Sequence, residues 1–187
     1  MIMFKKSFIL IFSIIFLYSC VSNETEVIEN TLLDVDNANF SFKVPSNWEI
    51  IKDKESILPK AKEGNIELAA TSTAVVSGFS NNLLILSDDL KKLTTSKDYS
   101  MLNNIWAESD YLEYKKISSK DIVFADEEVS IVYEFEAKYN TDTPKLKFLQ
   151  TASVCNKTKW YFITIALPTT VTDTSKYIEL LSTFSCK

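Results

Sequence analysis

Histidine and arginine are both absent from this chain, and glycine occurs only twice, as Gly64 and Gly78. Without histidine there is no Ser-His-Asp or Cys-His nucleophile, no imidazole zinc ligand and no side chain whose ordinary pKa lies near neutrality. Without arginine there is no planar fork for bidentate capture of phosphate or carboxylate, since all 20 basic residues are lysine. So few glycines cannot build a P-loop or a GxGxxG turn, which excludes phosphate-cradling nucleotide sites of those kinds. The chemistry that remains belongs to carboxylate, lysine, tyrosine and thiol groups.

What is present begins at the N-terminus. MIMFKK carries Lys5 and Lys6, and SFILIFSIIFLYS then runs apolar. That is the length of a secretory signal core, short of the roughly 18 residues a spanning helix needs. Leu17-Tyr18-Ser19-Cys20 resembles the bacterial lipobox. The resemblance implies that residues 1–19 are removed and that Cys20 becomes an acylated mature N-terminus carrying fatty acids such as palmitate. Acyl chains at one end of a polar domain anchor it to a membrane without embedding it. The expected location is therefore outside the cytoplasm, on the cell membrane or an outer membrane. Val21-Ser22 lack the aspartate that resembles an inner-membrane retention signal, which favours the latter where one exists.

Without Lys5 and Lys6 the 20 lysines fall to 18 against 25 acidic residues, and the net charge moves from −5 to −7. Such a balance argues against a nucleic-acid partner. The remaining length fits one domain with enough core to fold alone. VSNETEVIENTLLDVDNA is acidic and weakly patterned, so residues 20–38 read as the lipidated end and a flexible tether, with a single domain over 39–187.

Within that domain, FSFKV alternates as a strand and stops at Pro45. Further strands are expected at 66–77, 79–86, 111–117, 129–139, 145–155 and 159–167. A helix is expected over 97–109, where Tyr99, Leu102, Ile105 and Trp106 recur at spacings of three and four behind Ser96 as an N-cap. A closing helix over 173–184 carries Tyr177, Leu180, Leu181 and Phe184. In the strand at 129–139, Val129, Ile131, Tyr133 and Phe135 make an apolar face, and Ser130, Glu134, Glu136 and Lys138 make a polar face turned to water. Short loops make the meander antiparallel. The expected class is α+β, an antiparallel sheet covered by helices.

The order FSFKVPSNWEI, NNLLILSDDL, YSMLNNIW, VSIVYEFEAKY, KLKFLQTASV, KWYFITIAL and LLSTFSC resembles the PsbP-like family, which shares its fold with the DcrB lipoproteins. The resemblance spans roughly residues 39–186 and implies a compact αβα sandwich serving as an exported accessory subunit.

Candidate sites compete with plainer readings. Asp34-Val-Asp36 looks like the opening of a calcium loop, but Asn39 and Pro45 stand where glycine and glutamate are needed, so it reads as linker. Asp126-Glu127-Glu128 reads as a hydrated turn ahead of a cation site. Asp88-Asp89 reads as the start of a helical turn, where carboxylates suit the positive end of the dipole. Glu134 and Glu136 point to one face about 7 Å apart, a separation acid–base pairs also show, yet solubilising an exposed sheet face suffices for them. Trp48, Trp106 and Trp160 read as core before they read as an aromatic cleft. Once Cys20 is acylated, Cys155 and Cys186 remain as an even pair that an exported domain can bridge. No cofactor, metal site or catalytic residue is assigned.

The expected function is that of a lipid-anchored, non-enzymatic accessory or interaction protein of the bacterial envelope, with an envelope protein as partner. The alternative is a small-ligand or divalent-cation-binding lipoprotein. Cys20→Ala is expected to abolish metabolic fatty-acid labelling, and labelling that persists in the variant would refute the assignment of Cys20.

Overall fold

A computed structural model describes residues 31–187 other than 59, 62 and 77; the leader 1–19 and Cys20 lie outside the described residues. The described chain runs β1 (Leu32–Asp36), β2 (Phe40–Pro45), β3 (Trp48–Ile50), α1 (Lys54–Ile57), β4 (Asn65–Ser72), β5 (Asn82–Asp89) and α2 (Ser96–Asp110). It continues with β6 (Leu112–Val123), β7 (Val129–Lys138), β8 (Leu146–Cys155), β9 (Lys159–Pro168), α3 (Ser175–Ser182) and β10 (Ser185–Cys186). Seven strands form one sheet in the order β3-β4-β5-β9-β8-β7-β6, and β1-β2-β10 form a second. Every pairing is antiparallel.

The central strands explain the architecture. β9 (KWYFITIALP) is apolar almost without interruption, which is the pattern of a strand buried on both faces. Tyr161, Ile163, Ile165 and Leu167 face one core, together with Leu83, Ile85, Phe40, Phe42 and Phe184. Trp160 and Ala166 face the other side, where α2 brings Tyr99 and Ala107. The first core is closed by the small sheet and α3, the second by α2 with Phe79, Tyr111 and Tyr114 beside it. α2 makes the link between β5, in the middle of the sheet, and β6 at its edge, so it must cross β9, β8 and β7.

The expected αβα sandwich is therefore corrected. The domain is mostly antiparallel β structure in two sheets, and among the described residues only α2 and α3 are helices of eight residues or more. FSFKVP pairs with LLDVD and with the C-terminal Ser185-Cys186 to form a sheet that stands where a helical layer was expected. Residues 32–36, read as tether, are thus a strand, in which Asp34 meets Lys43 at 3.8 Å and Asp36 meets Lys187 at 2.6 Å. Asp88-Asp89 closes β5 opposite Trp160 and Lys159 and starts no helix. Thr95, one residue earlier than expected, caps α2 by accepting from the Asp98 N–H.

β7 and β8 pair only from Ala137↔Leu146 to Tyr133↔Gln150, and beyond that point they part. Serines fill the fork. Ser96 Oγ accepts from the Val154 N–H at 2.8 Å, Ser100 Oγ donates to the Ile131 carbonyl at 2.6 Å, and Ser130 Oγ donates to the Ala152 carbonyl at 2.7 Å. Backbone groups that the broken ladder would leave unpaired are satisfied this way.

At the other end, β8 and β9 are joined by Asn156-Lys157-Thr158, where Asn156 and Lys157 have positive φ (53° and 58°) and the Thr158 N–H donates to the Cys155 carbonyl at 3.1 Å, a tight hairpin turn. Gly64 is fixed by contact as well as by conformation: at φ +73°, an added Cβ would lie 2.6 Å from the Ser87 carbonyl oxygen.

Cys155, ending β8, and Cys186, in β10, are joined by a disulfide with their Cα atoms 5.5 Å apart. It ties the small sheet to the large one. The Cys186 N–H also donates to Asp126 Oδ2 at 2.7 Å. Closing a loop of 31 residues stabilises the fold by about 3–4 kcal/mol on chain-entropy grounds. Urea unfolding of the Cys155→Ala/Cys186→Ala variant should show a loss of that order, and coincident curves for oxidised and reduced protein would contradict it.

Candidate functional site

α2 packs mainly on β8 and β7, and part of the sheet's second face beside it stays uncovered. A groove of about 320 Å³ lies there. Alternate residues of β5, β9 and β8 make its floor, among them Leu84, Leu86, Phe162, Ala166 and Phe148. Its walls are Phe79 from the loop before β5, Tyr111 after α2, and Tyr139 with Thr143 from the β7–β8 loop. The aromatic walls brace one another: Tyr111 lies 5.0 Å from Phe148 and 5.3 Å from Tyr139 between ring centroids. Burial pushes the Tyr111 phenol well above its ordinary range, so it is neutral and serves as a hydrogen-bonding hydroxyl. None of the lining residues is charged.

Gln150 is the polar feature of that floor. It stands at the fork between β7 and β8, opposite Thr164 of β9, and is 4% exposed. Its Nε2 donates to Thr164 Oγ1 at 3.2 Å and, at the long limit of a hydrogen bond, to Tyr111 Oη at 3.5 Å. Its Oε1 is buried and accepts no hydrogen bond from the protein. Buried amide oxygens are seldom left so, because the lost solvation costs about 1–3 kcal/mol.

A second apolar surface lies on α2. The helix buries Ser96, Tyr99, Ser100 and Ala107, while Met101, Leu102, Ile105 and Trp106 are 43–53% exposed. This corrects the expected packing: of Tyr99, Leu102, Ile105 and Trp106, only Tyr99 is core. Small side chains let the helix lie close on the forked strands, and the large ones turn outward. Tyr99 stacks on Trp160 of β9 at 5.1 Å, and Leu102 and Trp106 follow it at three and seven residues along the same flank. Leu102 and Trp106 thus lie on the flank that Tyr99 begins, with Met101 and Ile105 beside them on the outer face of the helix.

The remaining sequence candidates serve the framework. Glu134, expected on a wet face, is buried with Lys147 at 3.4 Å, and Ser118 Oγ donates to its other oxygen at 3.0 Å. Lys147 Nζ also donates to the Val171 carbonyl at 2.6 Å. Ser130 is buried as well, so the polar side of β7 faces the interior over much of its length. Asp126 holds the Cys186 and Glu128 amides, and Glu128 accepts from Ser96 Oγ at 2.6 Å. The turn at 126–128 is therefore a fastening between α2, the β6–β7 hairpin and the C-terminal strand. Trp48 and Trp160 are core residues; Trp106 is exposed.

Sequence reasoning missed Gln150 and the groove. One signal was available, a single glutamine in the chain, placed inside the apolar run KLKFLQTASV.

No family model and no curated protein matches the chain. Among solved structures it is similar to a protein of unknown function from Pseudomonas aeruginosa, at 14% identity and a TM-score of 0.48, over 74% of this chain and 83% of that one.

Lys147→Met should cost about 3–5 kcal/mol, because it leaves the Glu134 carboxylate buried without its cation. Adding Glu134→Leu should restore most of that loss in chemical denaturation. A double variant no more stable than the single one would show that the pair is not coupled.

Proposed function

We propose that the chain is an exported, lipid-anchored accessory protein of the bacterial envelope that acts by binding a protein partner without turning over a substrate. The observation that carries this reading is the exposed stripe of Met101, Leu102, Ile105 and Trp106. Four large apolar side chains on adjacent turns of one helix form a patch of the kind that marks a protein contact, and tryptophan is enriched among residues that dominate binding energy. The paired carboxylate that an acid–base enzyme would have used supports the same conclusion, because Glu134 is occupied by Lys147 and Ser118. The lipobox-like segment ending in Cys20 supplies the anchor in this proposal, and the acidic residues after it a spacer.

The test is photocrosslinking in cells with benzoylphenylalanine placed at Leu102, compared with the same group at Lys43 in the small sheet. A discrete adduct at position 102 that disappears on adding Ile105→Asp/Trp106→Asp, in protein with an unchanged melting temperature, is expected. Loss of biological function should accompany it. Full complementation by the doubly substituted protein would overturn the reading.

A further inference from the structure

The apolar stripe on α2 has an internal symmetry that narrows the choice of partner. Leu93 precedes the helix and Leu112 follows it, and both are exposed, as are Met101, Leu102, Ile105 and Trp106 between them. Reversing the order of these six maps Leu93 onto Leu112, Met101 onto Trp106 and Leu102 onto Ile105, and the midpoints of the three pairs agree within one residue, near position 103. A patch that reads alike in both directions is what a two-fold contact between identical chains requires, because residue i must meet j while j meets i.

The charged rim selects the orientation. Lys97 and Glu108 are eleven residues apart, about three helical turns, so they lie on the same flank of α2 towards its opposite ends. Their midpoint also falls near position 103. When two copies of α2 pack face to face and antiparallel about a two-fold axis there, each flank meets the same flank with its ends exchanged, and Lys97 of each copy lies against Glu108 of the other. Antiparallel packing also opposes the helix dipoles. Parallel packing would set like ends together and lose both pairs. Lys97 is within 3.0 Å of Asp121 in its own chain and its side chain is still 43% exposed, so it can meet a second carboxylate. Asp98, held by the Thr95 hydroxyl at 2.8 Å, falls opposite Ser109 of the second copy, a small hydroxyl and not a like charge.

Resting on the reading of the stripe as a protein contact, we infer that its partner is a second copy of this chain, packed α2 against α2 in an antiparallel two-fold dimer. Met101 then meets Trp106 of the second copy, a sulfur–aromatic contact, and Leu102 meets Ile105. Six apolar side chains and their rim are fewer than the roughly 20–30 residues a side of a standard interface, so the dimer forms reversibly. Anchoring both copies in one membrane raises their effective concentration.

Two full-length copies with different epitope tags would be co-expressed in cells, one of them with benzoylphenylalanine at Ile105. Irradiation should give an adduct of twice the monomer mass that carries both tags. Charge reversal tests the register. Lys97→Glu in both copies, or Glu108→Lys in both, should each lower that adduct about five-fold or more, because both rim pairs become repulsive. A Lys97→Glu copy beside a Glu108→Lys copy should recover it to within about two-fold of the unaltered protein, since both pairs return with their signs exchanged and the contact with Asp121 is not restored. If Lys97→Glu melts early beside Asp121, Asp121→Asn is carried in every chain. A discrete adduct with another protein, and none with both tags, overturns the dimer and leaves the protein-contact reading standing; no discrete adduct at all overturns both. Mixed copies that melt normally and fail to recover the adduct also overturn the dimer.

Discussion

The parting of β7 and β8 beyond Tyr133 and Gln150 sets the terms for one whole side of the molecule. An antiparallel ladder that stops early leaves backbone donors and acceptors facing inward, and an apolar cover would strand them. Side-chain hydroxyls are the short polar groups that reach such positions, and Ser96, Ser100 and Ser130 supply them. α2 therefore has to present serine to the sheet. With its inner face committed to small polar residues, the helix has no room inside for its large apolar ones.

The same crossing creates the groove. A helix joining β5 to the far edge strand can cover β9, β8 and β7 along only one line, and the strands on either side of that line are already apolar because their neighbours are. The groove floor is thus core-type sequence that the described residues leave uncovered. The small sheet and α3 cover the opposite face together, and the Cys155–Cys186 bridge and the Asp126 contacts hold the chain's last strand in place. One face is closed by several elements tied to one another, the other by a single helix and the aromatic side chains beside it.

Much of this was legible in the residues. The strands at 129–138, 146–155 and 159–168 fall within a residue of their sequence-based bounds because alternation and turn residues such as Asn156 mark them directly. Periodicity also found α2, since Tyr99, Leu102, Ile105 and Trp106 do lie on one flank. It could not say whether that flank turns inward. Burial depends on what the neighbouring strands need, and the fork between β7 and β8 leaves no local mark. Glu134 misled for a related reason: alternation gives the face of a strand, not whether the face is covered, and the lysine that neutralises it comes from another strand. The acidic LLDVD looked like tether because one of the cations that meets it, Lys187, lies at the other end of the sequence from Asp36.

Gln150 shows where the two kinds of evidence meet. In the sequence it is a polar residue within a strand otherwise suited to burial; in the fold it is the residue at which pairing with β7 ends. A structural role would be fully met by an amide with both ends engaged, as the fork serines are. The Gln150 nitrogen is engaged and its oxygen is not, although Thr164 and Tyr111, with hydroxyls that can donate as well as accept, stand on the nitrogen side. The framework around the fork satisfies its other polar groups with hydrogen bonds from within the domain. Among the described residues the acceptor it leaves over is the Gln150 oxygen, enclosed where the β7 ladder stops.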